Sequence, residues 1–333
     1  VAHPSYPRAG VAEDQGRAVE SQATTETQSK KQMKTIGVIG LGSIGMRHAK
    51  NLLAMGHRVL GYDPVVGKDV DWLRVGDSKI ELMNVEDVIA ESEAVVIASP
   101  SHLHLGHLLL ATNAMKPCFV EKPIGNNRVV CKTILDNRGA IEKRLLTMVG
   151  NNLRFHSCIK KAKEWLDAGL IGKPLWANFT LAQFNDKYTE DVVLNWGSHE
   201  LDLARYLLGP CWVKAAVGDR GIVYIVLMHD SGCRTTVHLD YLTKPEERSF
   251  VIAGTSATMH IDLVERVTIL VDQAEQPFKE WHKFADSFDE NYIEEMQAFL
   301  DLIDGKPVPH AATGADGLAV LELCLEAKRL AGI

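Results

Sequence analysis

The stretch Thr35-Ile36-Gly37-Val38-Ile39-Gly40-Leu41-Gly42-Ser43-Ile44-Gly45 decides how the rest of the chain is read. Its first five residues are a short apolar run, the pattern of a buried strand. Gly40 to Gly45 has the spacing G-x-G-x-x-G, and Met46 to Met55 reads as a helix. The spacing alone is a weak signal. Here it follows an apolar strand, opens a helix, and has an acid, Asp63, 18 residues after Gly45. Gly40 makes the tight turn, Gly42 lets the backbone approach a pyrophosphate, and Gly45 lets helix and strand pack closely. Ser43 and Ile44 complete the turn at the helix start, where unpaired N–H groups and a partial positive charge suit phosphates.

Asp63 follows the strand Arg58-Val59-Leu60-Gly61-Tyr62. A carboxylate there accepts hydrogen bonds from adenosine ribose hydroxyls and repels a 2′-phosphate, which favours NAD over NADP. No arginine lies between Tyr62 and Lys68 to hold such a phosphate, although Lys68 is a nearby cation. The competing reading is a glycine-rich turn that binds no nucleotide.

Working outward, apolar strands recur at Ala94–Ala98, Cys118–Glu121 and Leu145–Val149, with helical stretches at Leu103–Ala114 and Val129–Lys143. Strands alternating with helices mean parallel βαβ units. Residues 34–152 are therefore expected to form an α/β Rossmann domain with a doubly wound parallel sheet. After Phe155 the pattern changes. A helix at Ser157–Ala168, a strand at Pro174–Ala182 and a helix at Gly197–Leu208 come first. Strand-like runs follow at Trp212–Val217, Ile222–Met228, Arg234–Tyr241, Phe250–Ala253, Thr258–Asp262 and Val267–Val271, and helices at Glu290–Ile303 and Gly314–Ala331 close the chain. Consecutive strands without intervening helices indicate antiparallel pairing. Residues 153–333 are expected to be an α+β domain for substrate binding and oligomerisation, with a large, mostly antiparallel, open-faced sheet.

Residues 1–33 show no apolar period and no secretory apolar core, and read as a disordered or artificially added extension with the natural start near Met33. At 333 residues and 46% hydrophobic, the chain can bury the cores of two domains. A net charge of -7 disfavours nucleic acid and anionic membranes, and no apolar run is long enough to span a bilayer. Six scattered cysteines, Cys118, Cys131, Cys158, Cys211, Cys233 and Cys324, read as reduced thiols of a cytoplasmic protein. No clustered ligands at zinc-site spacing occur, so no metal is expected.

Four further segments stand out: Ser99-Pro100-Ser101-His102-Leu103-His104, Glu121-Lys122-Pro123, Asn152-Leu153-Arg154-Phe155, and Gly197-Ser198-His199-Glu200-Leu201-Asp202. With the glycine turn, and in this order, they make the chain resemble the glucose–fructose oxidoreductase / inositol dehydrogenase / MocA family from about Thr35 to the C-terminus. The resemblance implies an NAD-dependent oxidoreductase acting on a secondary alcohol of a sugar, cyclitol or nucleotide-linked sugar. It places Glu121, Lys122 and Pro123 at the nicotinamide end of the cofactor, with the peptide before Pro123 often cis. Lys122 would face both the nicotinamide ribose and the reacting carbinol, where an ammonium stabilises charge growing on oxygen; otherwise it is a surface lysine. Ser99, Pro100 and His104 would line the nicotinamide and its ribose, although His104 serves equally well as a helix-start histidine without a role.

His199 is the candidate general acid/base, since a neutral imidazole suits removal of a hydroxyl proton; the bland alternative is a satisfied helix-start histidine. Asp202 lies three residues on and shares a helical face, so it could orient the ring or contact a hydroxyl. The family often carries Asp four residues before this His. This chain has Asn195, which cannot relay a proton but can hydrogen-bond substrate or imidazole. Arg154 either binds an anionic substrate group or makes a structural ion pair, and Asn152 carries the same ambiguity. Tyr188 and Tyr241 reach the pocket or pack. The open sheet face, by resemblance, forms homodimers or homotetramers. Two other functions share this scaffold: a redox-neutral NAD-using hydrolase, lyase or transhydrogenase cycle, and a catalytically idle NAD- and sugar-binding regulator.

Overall fold

The computed structural model describes residues 32–66, 74–126, 129, 146–185, 191–272 and 280–333, and the body treated below is Met33–Ile333. The extension before Gln32, Lys68, nearly all of the expected helix Val129–Lys143, and Tyr188 lie outside the described residues. Among those described, no helix is long and apolar enough to cross a membrane.

The first half contributes β1 (Thr35–Ile39), α1 (Ser43–Ala54), β2 (Arg58–Tyr62), β3 (Arg74–Val75), β4 (Ser78–Lys79), β5 (Glu81–Leu82), α2 (Val85–Glu91), β6 (Ala94–Ile97), α3 (His104–Asn113), β7 (Cys118–Glu121) and β8 (Thr147–Gly150). The second contributes α4 (Ser157–Asp167), β9 (Pro174–Ala182), α5 (Ser198–Leu208), β10 (Cys211–Gly218), β11 (Ile222–His229), β12 (Arg234–Asp240), β13 (Glu247–Gly254), β14 (Ala257–Asp262), β15 (Val267–Asp272), β16 (Glu280–Lys283), α6 (Phe288–Ile303), β17 (Ala312–Thr313) and α7 (Gly314–Ala331).

The first sheet runs β17-β8-β7-β6-β1-β2-β5, parallel throughout except for β17. Its central strands are continuous apolar runs: all four residues of β6 are fully buried. That pattern follows from cover on both faces. One cover is α6, from the far end of the chain. Met296 and Phe299 share a core with Leu52 of α1 and Phe119 of β7, and the Phe119 and Phe299 rings meet edge to face at 5.8 Å. The strand β17 likewise returns to pair with β8 through Ala312 and Val149. The apolar period of α6 shows in the sequence, but not which sheet it covers.

The second sheet runs β10-β11-β12-β9-β13-β14-β15-β16. All its pairings are antiparallel except β12 with β9, where Val237 sits opposite Phe179. The turn Asp230-Ser231-Gly232 joins β11 to β12, with Gly232 at φ 86°. One face is buried beneath α4, α5 and α7, around a Phe179–Phe250 pair 4.5 Å apart. The other face is open: Trp176, Tyr224 and Trp281 are 48%, 52% and 54% exposed.

Candidate functional site

The glycine turn sits between β1 and α1, at the carboxyl end of the parallel sheet, where doubly wound folds bind ligands. Each glycine meets its own constraint. Gly40 has φ 92°, and a Cβ on it would lie 2.5 Å from the Ser99 amide nitrogen. A Cβ on Gly45 would lie 1.9 Å from the Gly40 carbonyl oxygen. A Cβ on Gly42 would meet nothing within 4 Å, so the chain leaves open space beside the first turn of α1. Ser43 and Ile44 supply the amides of that turn. This cradle fits a pyrophosphate. Asp63, just beyond β2, accepts the Leu41 amide on Oδ2 at 2.8 Å and the Val65 amide on Oδ1 at 2.9 Å. The two bonds fix the carboxylate beside the turn.

The segments after β6 and β7 are tied together. His104, 2% exposed, approaches the Pro123 carbonyl with Nδ1 at 2.8 Å and the Ser99 carbonyl with Nε2 at 2.6 Å. Ser99 Oγ lies 2.9 Å from His107 Nδ1. Pro100 is exposed and precedes a short 3-10 turn, Ser101–Leu103. The Lys122–Pro123 peptide is cis. With both ring nitrogens on main-chain carbonyls, His104 clamps two loops rather than offering itself to a ribose. The expected cofactor contact is corrected accordingly.

Lys122 leaves the end of β7 and reaches the second half of the chain. Its Nζ donates to the Asn195 carbonyl at 2.8 Å and lies 3.5 Å from Asn195 Oδ1. Asn195 Nδ2 donates to the Tyr241 hydroxyl at 2.8 Å. Tyr241 is fully buried and packs edge to face on Trp196 at 4.2 Å, so it both packs and belongs to this network. Asn195 sits in a π-helical turn, Val193–Gly197, an irregularity frequent at functional sites.

His199 follows on the first turn of α5, half-buried, with its Nδ1 atom buried and unpartnered. Burial, then Lys122 and Arg248, hold its imidazole well below the usual histidine range. The ring is therefore neutral near pH 7. Arg248 of β13 donates from Nε at 2.8 Å and from Nη2 at 2.5 Å to Glu200 Oε1. Asn152, 3% exposed, keeps a buried Nδ2 without a partner at the end of β8.

Three other expectations change. Glu121 commits its carboxylate to His48 Nε2 at 2.7 Å and to the Lys122 amide at 3.1 Å, not to a cofactor. Arg154 and Asp202, 4% and 1% exposed, form a two-pronged ion pair at 2.8 and 2.6 Å. Neither is left to hold substrate or to orient His199, and the structural-pair alternative for Arg154 is the one realised. Arg248 and Glu200 beside His199, and His48 and Glu295 behind Lys122, have no local signature in the sequence. Their nearest trace is a buried polar pair, Asn291 and Glu295, interrupting the apolar stripe of α6.

Known proteins bear on this geometry. Residues 8–117 match the D-isomer specific 2-hydroxyacid dehydrogenase NAD-binding domain, and residues 159–260 match the GFO/IDH/MocA C-terminal domain. The chain is 25% identical to myo-inositol 2-dehydrogenase of Thermotoga maritima over 88% of its own length and 95% of that protein's. It is 27% identical to scyllo-inositol 2-dehydrogenase (NAD(+)) of Bacillus subtilis, over 87% and 92%. Its fold matches UDP-N-acetylglucosamine 3-dehydrogenase from Acidithiobacillus ferrooxidans with a TM-score of 0.76, at 20% identity, covering 90% and 98% of the two chains. With the cradle, the Glu121-Lys122-Pro123 segment and the two-sheet architecture in place, the chain is an oxidoreductase that uses NAD and carries a GFO/IDH/MocA C-terminal domain.

Proposed function

We propose that the chain moves a hydride between NAD and a secondary alcohol or ketone of a sugar, cyclitol or nucleotide-linked sugar. The observation that carries this reading is the Lys122 ammonium held on the Asn195 carbonyl, close enough to His199 to depress its basicity. Bound nicotinamide supplies the hydride acceptor or donor. In the oxidative direction the carbinol carbon loses hydride and its hydroxyl proton passes to His199, leaving a ketone. Lys122 steadies the negative charge that develops on the oxygen. Asn195 holds Lys122 and carries no proton of its own to relay. The buried Asn152 amide is available to a substrate or ribose hydroxyl. The inositol dehydrogenases named above favour a cyclitol among the substrate classes.

A panel of cyclitols, aldoses and sugar nucleotides, followed by NADH absorbance, tests this. Net NADH formation with at least one substrate is expected. Product without NADH accumulation would replace it with a redox-neutral cycle, and tight NAD binding without any turnover with an idle regulator. The open aromatic face of the second sheet supports a homodimer or homotetramer, checked by analytical ultracentrifugation. The described cysteines are free thiols, which supports work in the reducing cytoplasm.

A further inference from the structure

Behind Lys122 lies a second cluster of titratable groups that the proposed reaction does not use. His48 on α1, Glu121 at the end of β7 and Glu295 on α6 bring one ring nitrogen and two carboxylates within 4.8 Å of one another. The His48 side chain and Glu295 are fully buried, and the Glu121 side chain is 13% exposed. His48 Nε2 lies 2.7 Å from Glu121 Oε1, while Glu121 Oε2 accepts the Lys122 amide. Both Glu295 oxygens and His48 Nδ1 are without a partner. The surroundings supply little compensation. Arg47 lies over the Tyr292 ring at 4.6 Å and pairs with Asp289 at 2.9 Å. Tyr292 packs on His48 at 5.9 Å, and its hydroxyl is pushed up by burial, Glu121 and Glu295. Asp202, which also bears on Glu295, is taken by Arg154.

Two charge distributions hold the same number of protons. In the first, His48 is an imidazolium and both carboxylates are ionised. That leaves a buried Nδ1–H without an acceptor and a buried carboxylate without a donor, the costliest combination. In the second, His48 carries one proton, on Nε2, and donates it to Glu121, while Glu295 is a neutral carboxyl. The ring lone pair and the neutral Glu295 carboxyl then lack partners, but no buried charge does. Burial, then the Glu121 charge, push the Glu295 carboxyl well above the usual range, in agreement with the second arrangement.

We propose that His48 and Glu121, beside a neutral Glu295, position Lys122 through the bond from the Lys122 amide to Glu121. Glu121 is the positioning residue: it accepts the amide of the peptide from which the lysine rises, while Glu295 lies beside it and holds a proton without touching that peptide. The proposal rests on the role given to Lys122 above.

Glu295→Gln keeps the shape and the neutral state, whereas Glu121→Gln weakens the acceptor that faces both His48 and the Lys122 amide. Glu295→Gln should hold kcat within about 3-fold of wild type. Glu121→Gln should lose about 10- to 100-fold in kcat, as displaced catalytic groups do, with the NAD dissociation constant and thermal midpoint unchanged. Infrared difference spectra at neutral pH should show a protonated-carboxyl band in the wild type that Glu295→Gln lacks. Absence of that band overturns the proposal, as does a Glu295→Gln loss equal to that of Glu121→Gln. So does a stoichiometric divalent metal in purified wild type that Glu295→Gln loses, which would make the cluster a metal site. The band does not depend on turnover, so it separates failure here from failure of the Lys122 role, which Lys122→Ala tests alone.

Discussion

The ammonium of Lys122 donates to the main-chain carbonyl of Asn195 at 2.8 Å, across 73 positions of sequence. The bond joins the loop after β7 to the π-helical turn before α5, so the two halves of the chain meet at one nitrogen. A carbonyl does not titrate, so the acceptor side of this anchor does not change with pH. Lys122→Ala should lower kcat about 10²- to 10³-fold, the usual cost of losing one donor to a developing oxyanion. The NAD dissociation constant, measured by fluorescence titration, should move by much less. Lys122→Arg should not restore turnover, because a planar guanidinium does not reproduce a point donor at that carbonyl.

Asn195→Asp places a carboxylate beside both Lys122 and the His199 environment. Burial, Lys122 and Arg248 hold His199 low, so the wild-type acid limb of kcat/KM should lie well below the usual histidine range. A base works only when deprotonated, so activity falls as pH drops through its pKa. A new negative charge offsets part of the Lys122 effect and raises that pKa. The acid limb of Asn195→Asp should therefore move to higher pH, read from kcat/KM across the acid range.

What the sequence could and could not disclose follows from interaction range. The strand β1, the glycine turn and Asp63 are local patterns, and most of the contacts that explain them lie within one βαβ unit, the approach of Gly40 to Ser99 being the exception. Resemblance singles out Lys122 and His199, because each sits in a short recognisable segment, and their roles are those proposed above. His104 and Arg154 were each left with two readings, since a side chain does not announce its partner. The choice was made by Pro123 and Ser99 for the first, and by Asp202, 48 residues on, for the second. The period of α6 marked a buried face, but only the fold shows that this face covers β7 and carries Glu295 to Glu121.

Asp63 accepts two main-chain amides, from Leu41 and Val65, which aim its carboxylate before any ribose arrives. Charge-assisted hydrogen bonds of this kind are worth about 1.5–3 kcal/mol. Asp63→Ala should raise KM for NAD roughly 10- to 100-fold. The same change removes the charge that repels a 2′-phosphate, so KM for NADP should fall. Paired steady-state measurements with both cofactors check the two directions, and a parallel rise in both would show loss of the turn instead.

Arg154 and Asp202 lock the turn after β8 to α5, and Arg154 Nη1 also lies 3.5 Å from Asp316 Oδ2. Removing one member leaves a buried charge uncompensated, at about 3–5 kcal/mol. Asp202→Leu or Arg154→Met should each lower unfolding free energy by that order. The double variant Arg154→Met/Asp202→Leu should recover most of the loss, because apolar replacement of a buried pair is often neutral. Denaturant unfolding of the four proteins closes the cycle. KM for substrate in whichever variants fold should stay near wild type, as befits a pair that does not touch substrate.

His156 gives the protein an acid-sensitive point away from the site. It is 1% exposed, and its Nδ1 accepts the Cys158 amide at 3.2 Å, capping α4. Burial, then Arg266, lower its pKa from 6.5 to about 4. Between those values the unfolded chain binds a proton that the native chain does not, so stability rises with pH and falls as pH drops. Across that window the loss should approach roughly 3 kcal/mol, from about 1.4 kcal/mol per pKa unit. His156→Asn keeps a cap acceptor and cannot titrate. Chemical denaturation of both proteins from neutral pH down to about 4 should show wild type losing more stability than His156→Asn by that amount; parallel curves would exclude His156 as the source.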